Sequence, residues 1–306
     1  MSDVKYRIAV TGREGQVCQA TTRLLRGHGH EVMVLARPDA DLLDAASIHR
    51  AIREAKPDLV VNAAAYTAVD RAEDEPELAH AVNALGAEAV SAAAAAVSAP
   101  VIHFSTDYVF DGSKSTPYLE TDETGPLGVY GATKLEGERR VAAANPRHVI
   151  LRTAWVCSPY GNNFVKTMLR LAANRPELTV VDDQHGSPTF AADLADAVAQ
   201  LAPRLVCGNA SPETWGVFHA TNTGETTWCG FARAIMQCAQ MRGGPSVPVR
   251  GIKTKDYPTK ARRPAYSLLS ARKLETVHGI VMRPWQSSLD LCLDELIGAR
   301  RNIEVS

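Results

Sequence analysis

The first half of the chain alternates short apolar runs with stretches of helical periodicity, a pattern that few folds accommodate. The apolar runs are residues 7–11, 31–35, 59–62, 101–105 and 149–152. Helices are predicted between them at residues 16–26, 45–55, 76–97 and 129–143. Because continuous apolar strands joined by helices are buried on both faces, the alternation predicts an α/β fold with a doubly wound parallel sheet of the Rossmann type.

A glycine-rich turn joins the first predicted strand to the first predicted helix. It reads Thr-Gly-Arg-Glu-Gly-Gln-Val-Cys over residues 11–18. Gly12 permits a tight turn, and Gly15 has no side chain to block the approach of phosphate groups. Free backbone N–H groups and the positive end of a helix can bind a pyrophosphate at this position. An isolated glycine pattern is weak support for a nucleotide site. Because this one lies between a strand and a helix, it indicates a dinucleotide cofactor.

The end of the second predicted strand bears on the choice of dinucleotide. An acidic residue there binds the adenosine ribose when NAD is preferred. Here residues 35–39 read Leu-Ala-Arg-Pro-Asp. The Arg37 guanidinium suits the 2′-phosphate of NADPH, because it can donate forked, charge-assisted hydrogen bonds. We therefore expect NADPH, with NADH as the alternative, since Asp39 follows two residues later and Arg37 at a strand end can also be a solvated side chain.

Tyr130 and Lys134 lie four residues apart on a predicted helix and so share one face. An ammonium group beside a phenol stabilises phenolate, which lowers the tyrosine pKa and makes it a usable general acid or base near neutral pH. Thr106 follows the strand at 101–105, so it can offer a hydroxyl to the same substrate oxygen. The alternative for a bare Tyr-x-x-x-Lys pattern is a solvated surface pair, and the strand-end threonine argues against it.

Other strand ends add residues to the same crevice. Residues 63–65 are three alanines, whose small side chains let a cofactor lie against the backbone. Trp155 follows the strand at 149–152 and offers a flat apolar ring to the C–H face of a sugar. Arg263 offers a guanidinium to a diphosphate, with a solvated basic loop as the alternative.

The pattern changes after residue 157, where proline and glycine become frequent and long loops separate the helices. We interpret residues 1–155 as a dinucleotide-binding Rossmann domain. Residues 156–306 are predicted to form mainly a smaller, C-terminal substrate-binding region, with some segments returning to the first domain.

Composition excludes several other classes of protein. The 306 residues include 33 basic and 34 acidic side chains, a net charge of −1, so neither nucleic acid nor an acidic membrane surface is favoured as a partner. The uncharged run at 89–106 is broken by Pro100 and predicts a helix and a strand rather than a membrane span. Six scattered cysteines without a C-x-x-C pair and the lack of a signal peptide predict a cytoplasmic protein. The histidines show no ligand spacing, so no metal is expected.

Several motifs along nearly the whole chain resemble, in order, those of the dTDP-4-dehydrorhamnose reductase family of extended short-chain dehydrogenases/reductases. They are Thr-Gly-x-x-Gly-Gln from residue 11, Asn-Ala-Ala-Ala-Tyr-Thr-Ala-Val-Asp from 62, Ser-Thr-Asp-Tyr-Val-Phe-Asp-Gly from 105, Val-Tyr-Gly-x-Thr-Lys from 129, Arg-Thr-Ala-Trp-Val from 152, Gly-Asn-Asn-Phe from 161, Asp-Asp-Gln-x-Gly-x-Pro-Thr from 182 and Arg-Pro from 263. The resemblance implies an NADPH- or NADH-dependent reduction of the C4 ketone of dTDP-4-dehydro-L-rhamnose to dTDP-L-rhamnose.

The resemblance also implies roles for individual residues. Tyr130 would protonate the developing alkoxide, Thr106 would hydrogen-bond the carbonyl oxygen, and Lys134 would orient the cofactor. The cofactor-binding positions, together with those predicted above, are Gly12, Gly15, Gln16, Val17, Arg37, Asp41, Leu42, Ala63, Ala64, Ala65, Tyr66, Thr67, Tyr130 and Lys134. The substrate-binding positions are Val69, Thr106, Asp107, Tyr108, Trp155 and Arg263. The expected partner is the nucleotide sugar, and a homodimer is compatible with the sequence.

Three positions depart from the family pattern. Cys18 replaces the third glycine of the turn, and Tyr266 replaces the usual asparagine near the expected sugar pocket. Ala20 stands where some members carry a glutamate linked to a magnesium-bridged dimer, so we do not transfer that metal or that dimer. Two alternative functions remain at this level: reduction of another dTDP-4-keto-6-deoxysugar, and a noncatalytic, reductase-like regulatory subunit.

Overall fold

The computed structural model describes residues 4–207 and 211–298. Among these residues, no helix is both long enough and apolar enough to cross a membrane. The strands are β1 (Arg7–Thr11), β2 (Glu31–Leu35), β3 (Leu59–Asn62), β4 (Val101–Thr106), β5 (His148–Thr153), β6 (Val156–Cys157), β7 (Leu178–Val181), β8 (His185–Gly186), β9 (Thr189–Phe190), β10 (Gly216–His219), β11 (Thr226–Thr227) and β12 (Val249–Ile252). The helices are α1 (Gln16–Gly27), α2 (Ala45–Ala55), α3 (Val69–Ala72), α4 (Pro76–His80), α5 (Ala87–Ala96), α6 (Val129–Ala144), α7 (Phe164–Ala172), α8 (Ala191–Val206), α9 (Trp228–Met241), α10 (Arg272–His278) and α11 (Trp285–Leu293).

A parallel sheet of six strands forms the centre of the described structure, in the order β10-β5-β4-β3-β1-β2. The doubly wound parallel sheet predicted from the sequence is therefore confirmed. The strand order reverses at β1, which lies between β2 and β3. At such a reversal the helices leave the sheet on opposite faces and open a crevice at the carboxyl ends of the strands, where ligands of this fold bind.

Apolar residues on both faces of the sheet explain its stability. Along β1, Ile8 and Val10 are buried in the cluster beneath α1 and α8, whereas Ala9 is buried in the cluster beneath α2 and α5. This alternation follows from the two-residue period of a strand. It accounts for the apolar runs in the sequence, because both faces of the sheet are covered by helices.

The second half of the chain contributes to the sheet and also forms structure of its own. β10 pairs with β5 at the edge of the sheet, and α8 packs on α1. Three short strand pairs, β6 with β9, β7 with β12 and β8 with β11, lie outside the sheet. A separate apolar cluster is built largely by α7, α9 and α11.

The predicted helix at 76–97 is broken into parts. A π-helical segment, Ala81–Gly86, separates α4 from α5. Within it, the Asn83 side chain bonds to the backbone of Tyr66 and to Thr133. Insertions of this kind are common at functional sites, and this one faces the cofactor segment that follows β3.

Candidate active site

The glycine-rich turn has the backbone geometry that a phosphate site requires. Gly12 has a φ of +94°, a left-handed conformation that strongly favours glycine, and its N–H donates to the Leu35 carbonyl at 2.8 Å. Gly15 caps α1, and open space surrounds the position where a side chain would begin. The Cys18 thiol donates to the Gly12 carbonyl oxygen at 3.0 Å. The cysteine at the third fingerprint position is thus bonded to the turn itself.

One cleft runs along the carboxyl edge of the sheet, from this turn to the start of α6. Its volume of about 1100 Å³ exceeds that of most single-ligand sites. Each of the fourteen predicted cofactor positions lines it: Gly12, Gly15, Gln16, Val17, Arg37, Asp41, Leu42, Ala63, Ala64, Ala65, Tyr66, Thr67, Tyr130 and Lys134. The predicted substrate positions Val69, Thr106, Asp107, Tyr108 and Trp155 line the same cleft.

Tyr130 and Lys134 lie one turn apart in α6, which begins against the turn that follows β4. The close approach requires a glycine at position 131, because a Cβ atom there would lie 2.1 Å from the Tyr108 carbonyl oxygen. The Thr106 hydroxyl donates to Asp107 Oδ1 at 3.0 Å and is close enough to the Tyr130 phenol to act on its pKa. The rings of Tyr108 and Tyr130 meet edge to face at 5.6 Å. The predicted catalytic residues are therefore adjacent.

The prediction that Lys134 lowers the pKa of Tyr130 is wrong. Burial raises the pKa of the Tyr130 phenol well above its usual value, and the hydrogen bond with Thr106 only partly opposes this shift. The Lys134 ammonium donates to the Phe104 carbonyl oxygen at 2.6 Å and lies 3.3 Å from His103 Nε2. Burial lowers the pKa of Lys134 to about 8, against the opposing charge of Glu138. The lysine is thus bonded to β4, and the phenol stays protonated at neutral pH.

Asp107 is a buried carboxyl group in the wall of the cleft. Burial raises its pKa to about 6, while hydrogen bonds with Ser267 and Thr106 act in the opposite direction. The group is therefore poised between its charged and neutral forms near neutral pH.

Trp155 lines the same cleft, and the next residue, Val156, accepts from Gln16 Nε2 of the phosphate turn at 3.2 Å. The Trp155 backbone has a φ of +48°, and its ring stacks on Trp228, the first residue of α9, with centroids 3.6 Å apart and planes 12° apart. The ring of Phe164, the first residue of α7, also packs against Trp228, with the ring centroids 4.7 Å apart. The structure thus fixes the orientation of Trp155 through a residue that the sequence did not single out.

Arg263 does not line the cleft. Its guanidinium donates to Asp70 Oδ2 at 2.7 Å and to the Tyr108 hydroxyl at 2.9 Å. The structure therefore places Arg263 next to a cleft residue and leaves it committed to an ion pair. Its predicted contact with a diphosphate stays a prediction.

The other departures from the family pattern have clear surroundings. Ala20 is buried between α1 and α8 against Ala191 and Ala195, so the small side chain permits close helix packing. The Tyr266 ring stacks on His185, with centroids 6.3 Å apart. Among residues 4–207 and 211–298, no three His, Cys, Asp or Glu side chains converge as a metal site would require.

Sequence reasoning missed two further groups at the site. Asn83 accepts from the Tyr66 N–H at 2.8 Å and donates to Thr133 at 3.2 Å, which joins the cofactor segment to the catalytic helix. Ser158 and Asn163 donate to Gln16 Oε1 at 2.8 and 2.9 Å, which joins the phosphate turn to the loop after β6. The Gly-Asn-Asn-Phe motif contains Asn163, but nothing in the sequence indicated that this residue bonds to Gln16.

Cys157 is a buried thiol in β6. Hydrogen bonding from the backbone N–H groups of Val165 and Phe164, at the start of α7, acts to lower the pKa of this thiol. Burial outweighs these bonds and raises the pKa of Cys157 to about 12. The thiol is therefore not an activated nucleophile.

A Rossmann sheet with a glycine-rich phosphate turn, and with a threonine, a tyrosine and a lysine in the same cleft, defines a nicotinamide-dependent oxidoreductase of the short-chain type. The family model described as the RmlD substrate binding domain matches residues 6–297. The chain belongs to the dTDP-4-dehydrorhamnose reductase family.

Individual relatives support this assignment. The chain is 49% identical to a dTDP-4-dehydrorhamnose reductase of Sinorhizobium fredii, over 92% of this chain and 95% of that protein. It is 42% identical to the reductase of Escherichia coli, over 94% and 97% of the two chains. A crystal structure of the Clostridium acetobutylicum reductase matches with a TM-score of 0.88 and 39% identity, over 94% and 99%. The Bacillus anthracis reductase in complex with NADP matches with a TM-score of 0.88 and 33% identity, over 95% and 100%.

Proposed function

We propose that this protein uses NADPH, with NADH as an alternative donor, to reduce the C4 ketone of dTDP-4-dehydro-L-rhamnose to dTDP-L-rhamnose. The observation that carries the proposal is the continuity of the cleft. It joins a phosphate turn at Gly12 to a hydroxyl pair, Thr106 and Tyr130, beside the buried ammonium of Lys134. Family membership supports the same reaction, since the relatives described above are named for it.

The residues along the cleft fit NADPH. The open approach to Gly15 and the start of α1 suit a pyrophosphate, and the exposed guanidinium of Arg37 at the cleft rim suits a 2′-phosphate. The strip formed by Ala63, Ala64 and Ala65 leaves the backbone accessible to a flat ring system. When bound, the nicotinamide supplies the hydride for the carbonyl carbon.

Tyr130 would act as the proton donor. Because burial keeps its phenol protonated at neutral pH, the proton is present when the substrate oxygen gains negative charge. Thr106, which lines the same cleft, would donate to the same oxygen. Lys134, charged for the most part below pH 8, would hydrogen-bond the nicotinamide ribose from the adjoining wall. Reduction thus needs an acid rather than a phenolate, which agrees with the raised pKa.

The sugar would lie between the catalytic hydroxyls and Trp155. Val69, Asp107 and Tyr108 line this part of the cleft, and Trp228 holds the Trp155 ring from behind. We place the diphosphate on the side of Arg263. In this arrangement residues 1–155 hold mainly the cofactor, and residues 156–306 supply mainly the substrate-binding region.

The cysteines support a reducing compartment. All six are free in the structure, as expected for a protein that works in the cytoplasm.

The test is NADPH oxidation, followed by absorbance, with dTDP-4-dehydro-L-rhamnose generated in situ, and NMR identification of the product. We expect dTDP-L-rhamnose. A product with a different C4 configuration, or a different deoxysugar, would show that the protein reduces another dTDP-4-keto-6-deoxysugar. Tyr266 would then be the first residue to examine. Tight NADPH binding without turnover of any such ketone would support a regulatory subunit.

A further inference from the structure

Four buried polar side chains form a chain of contacts across the middle of the sheet, from the phosphate turn to the catalytic helix. Thr11 Oγ1 lies 2.7 Å from Asn62 Oδ1, and Asn62 Nδ2 lies 3.0 Å from His103 Nδ1. His103 Nε2 lies 3.3 Å from Lys134 Nζ. All four side chains are buried, and the most exposed of them, Lys134, is only 2% exposed. Water therefore competes little for these contacts.

The register of the sheet fixes three members of this chain. Thr11 pairs with Asn62, and Asn62 pairs with His103, on the adjacent strands β1, β3 and β4. Paired residues of neighbouring strands place their side chains on one face, close enough to bond. Lys134 then reaches the third of them from α6.

The hydrogens of Lys134 can be accounted for one by one. A protonated lysine has three N–H donors. The Phe104 carbonyl oxygen, 2.6 Å from Nζ, accepts one, and His103 Nε2, at 3.3 Å, can accept a second. The third remains for the cleft, which Lys134 lines. Because two N–H groups of Lys134 are held by His103 and Phe104, the direction of the third N–H, which can bond to a ligand, is fixed.

The two nitrogens of a neutral imidazole cannot change roles independently, because one donates while the other accepts. When Lys134 is protonated, His103 Nε2 accepts from it and Nδ1 donates to the Asn62 amide oxygen. When Lys134 is a neutral amine, Nε2 donates to Nζ and Nδ1 accepts from the Asn62 amide nitrogen. A half-turn of the Asn62 amide exchanges the two patterns, and Thr11, which can donate or accept, satisfies its other end.

We propose that His103 is a positioning residue for Lys134: it holds the ammonium with one N–H directed into the cleft, and it changes tautomer when that ammonium loses its proton. The proposal rests on the proposed function for one point, that Lys134 presents this N–H to the NADPH ribose. It goes further by assigning the strand-centre histidine a part in cofactor binding.

The charges around the pair are consistent with a neutral imidazole. Burial, and after it the Lys134 charge, lower the pKa of His103 well below its usual value. Glu138, four residues along α6, faces Lys134 and raises its pKa, while Arg152 of β5 holds Glu138 at 2.7 Å. Because the pKa of Lys134 is about 8, its loss of a proton falls in an accessible pH range.

Three variants test the positioning role through NADPH affinity, measured by fluorescence without substrate between about pH 6 and pH 10. His103→Leu removes the acceptor, so the buried ammonium is less favourable. We expect a roughly tenfold rise in the NADPH Kd at neutral pH, and affinity that falls off about one pH unit lower than in the wild type. His103→Gln keeps a carbonyl oxygen within reach of Nζ and should restore the wild-type pH dependence. His219→Gln, which replaces another buried histidine outside the chain, should leave that pH dependence unchanged.

A second measurement remains valid if His103→Leu does not fold. In the wild-type protein labelled with 15N-histidine, NMR shifts should show His103 as the Nδ1–H tautomer at about pH 6.5 and as the Nε2–H tautomer at about pH 9.5. In Lys134→Met the tautomer should be the same at both pH values. One unchanging tautomer in the wild type, or equal pH shifts in the Leu and Gln variants, would overturn the proposal. Neither readout uses the sugar substrate, so failure of the proposed reaction would be seen separately.

Discussion

Replacing Glu138 by glutamine breaks an ion pair buried beneath the catalytic helix. Glu138 accepts from Arg152 Nε at 2.9 Å, from Arg152 Nη2 at 2.7 Å and from the Ser105 hydroxyl at 2.5 Å. Both charged side chains are only 5% exposed. Glu138→Gln keeps the shape of the side chain but leaves the Arg152 guanidinium buried without a counter-charge, a change that destabilises proteins by roughly 3 kcal/mol or more.

The expected effect is large enough for a simple assay. At about 2 °C of Tm per kcal/mol for a chain of this size, thermal unfolding followed by circular dichroism should show Tm lowered by about 6 °C. Because the Glu138 charge raises the pKa of Lys134, the variant should also lose NADPH affinity at a lower pH. The matched control is Glu136→Gln on the same helix, which breaks a half-exposed bond to Arg140 and should change Tm by no more than about 1 °C. Equal Tm values for the two variants would refute the reasoning.

Four other substitutions test the site. Tyr130→Phe should lower kcat at least about 100-fold while the NADPH Kd stays within about twofold, because only the proton donor is lost; full activity would exclude Tyr130 as the acid. Arg37→Ala should weaken NADPH by about tenfold and NADH hardly at all, as equilibrium titration can measure, and equal losses would remove the role in 2′-phosphate binding. The pKa of Asp107, raised by burial to about 6, means that its stabilising contribution is complete below its unfolded pKa near 3.9 and is lost as pH rises through 6. The Tm of Asp107→Asn minus that of the wild type should therefore be more positive at about pH 7.5 than at about pH 4, and a difference independent of pH would contradict the shift. Trp228→Leu removes the ring behind Trp155 and should raise the KM for the sugar nucleotide several-fold with NADPH affinity preserved; an unchanged KM would mean that Trp155 needs no support.

Much of the fold was predictable because the apolar pattern reflects burial directly. The first three predicted strands, 7–11, 31–35 and 59–62, have the bounds found in the structure. The predicted helix at 76–97 was wrong in its interior, where the π-helical segment lies. That segment depends on bonds from Asn83 to Tyr66 and Thr133, which are tertiary contacts with no periodic signal in the sequence.

The site was predictable where residues follow strand ends and not where distant segments meet. All the predicted cofactor positions line one cleft, because the carboxyl ends of parallel strands converge. Spacing placed Tyr130 and Lys134 on one face, but the direction of the Tyr130 pKa was wrong, since the sequence could not show that β4 binds the lysine and that burial dominates. Trp228 lies in another element altogether and reaches Trp155 only through the folded chain.

The position of β10 has a consequence for synthesis on the ribosome. Until residues 216–219 have emerged, the nascent chain leaves β5 as the border of the growing sheet, with Val149, Ile150 and Leu151 at the border and its backbone hydrogen-bonding groups unpaired. An apolar border strand of this kind readily joins other chains. A fragment that stops near residue 155 would keep that border permanently open, and it should therefore self-associate rather than behave as an independent module.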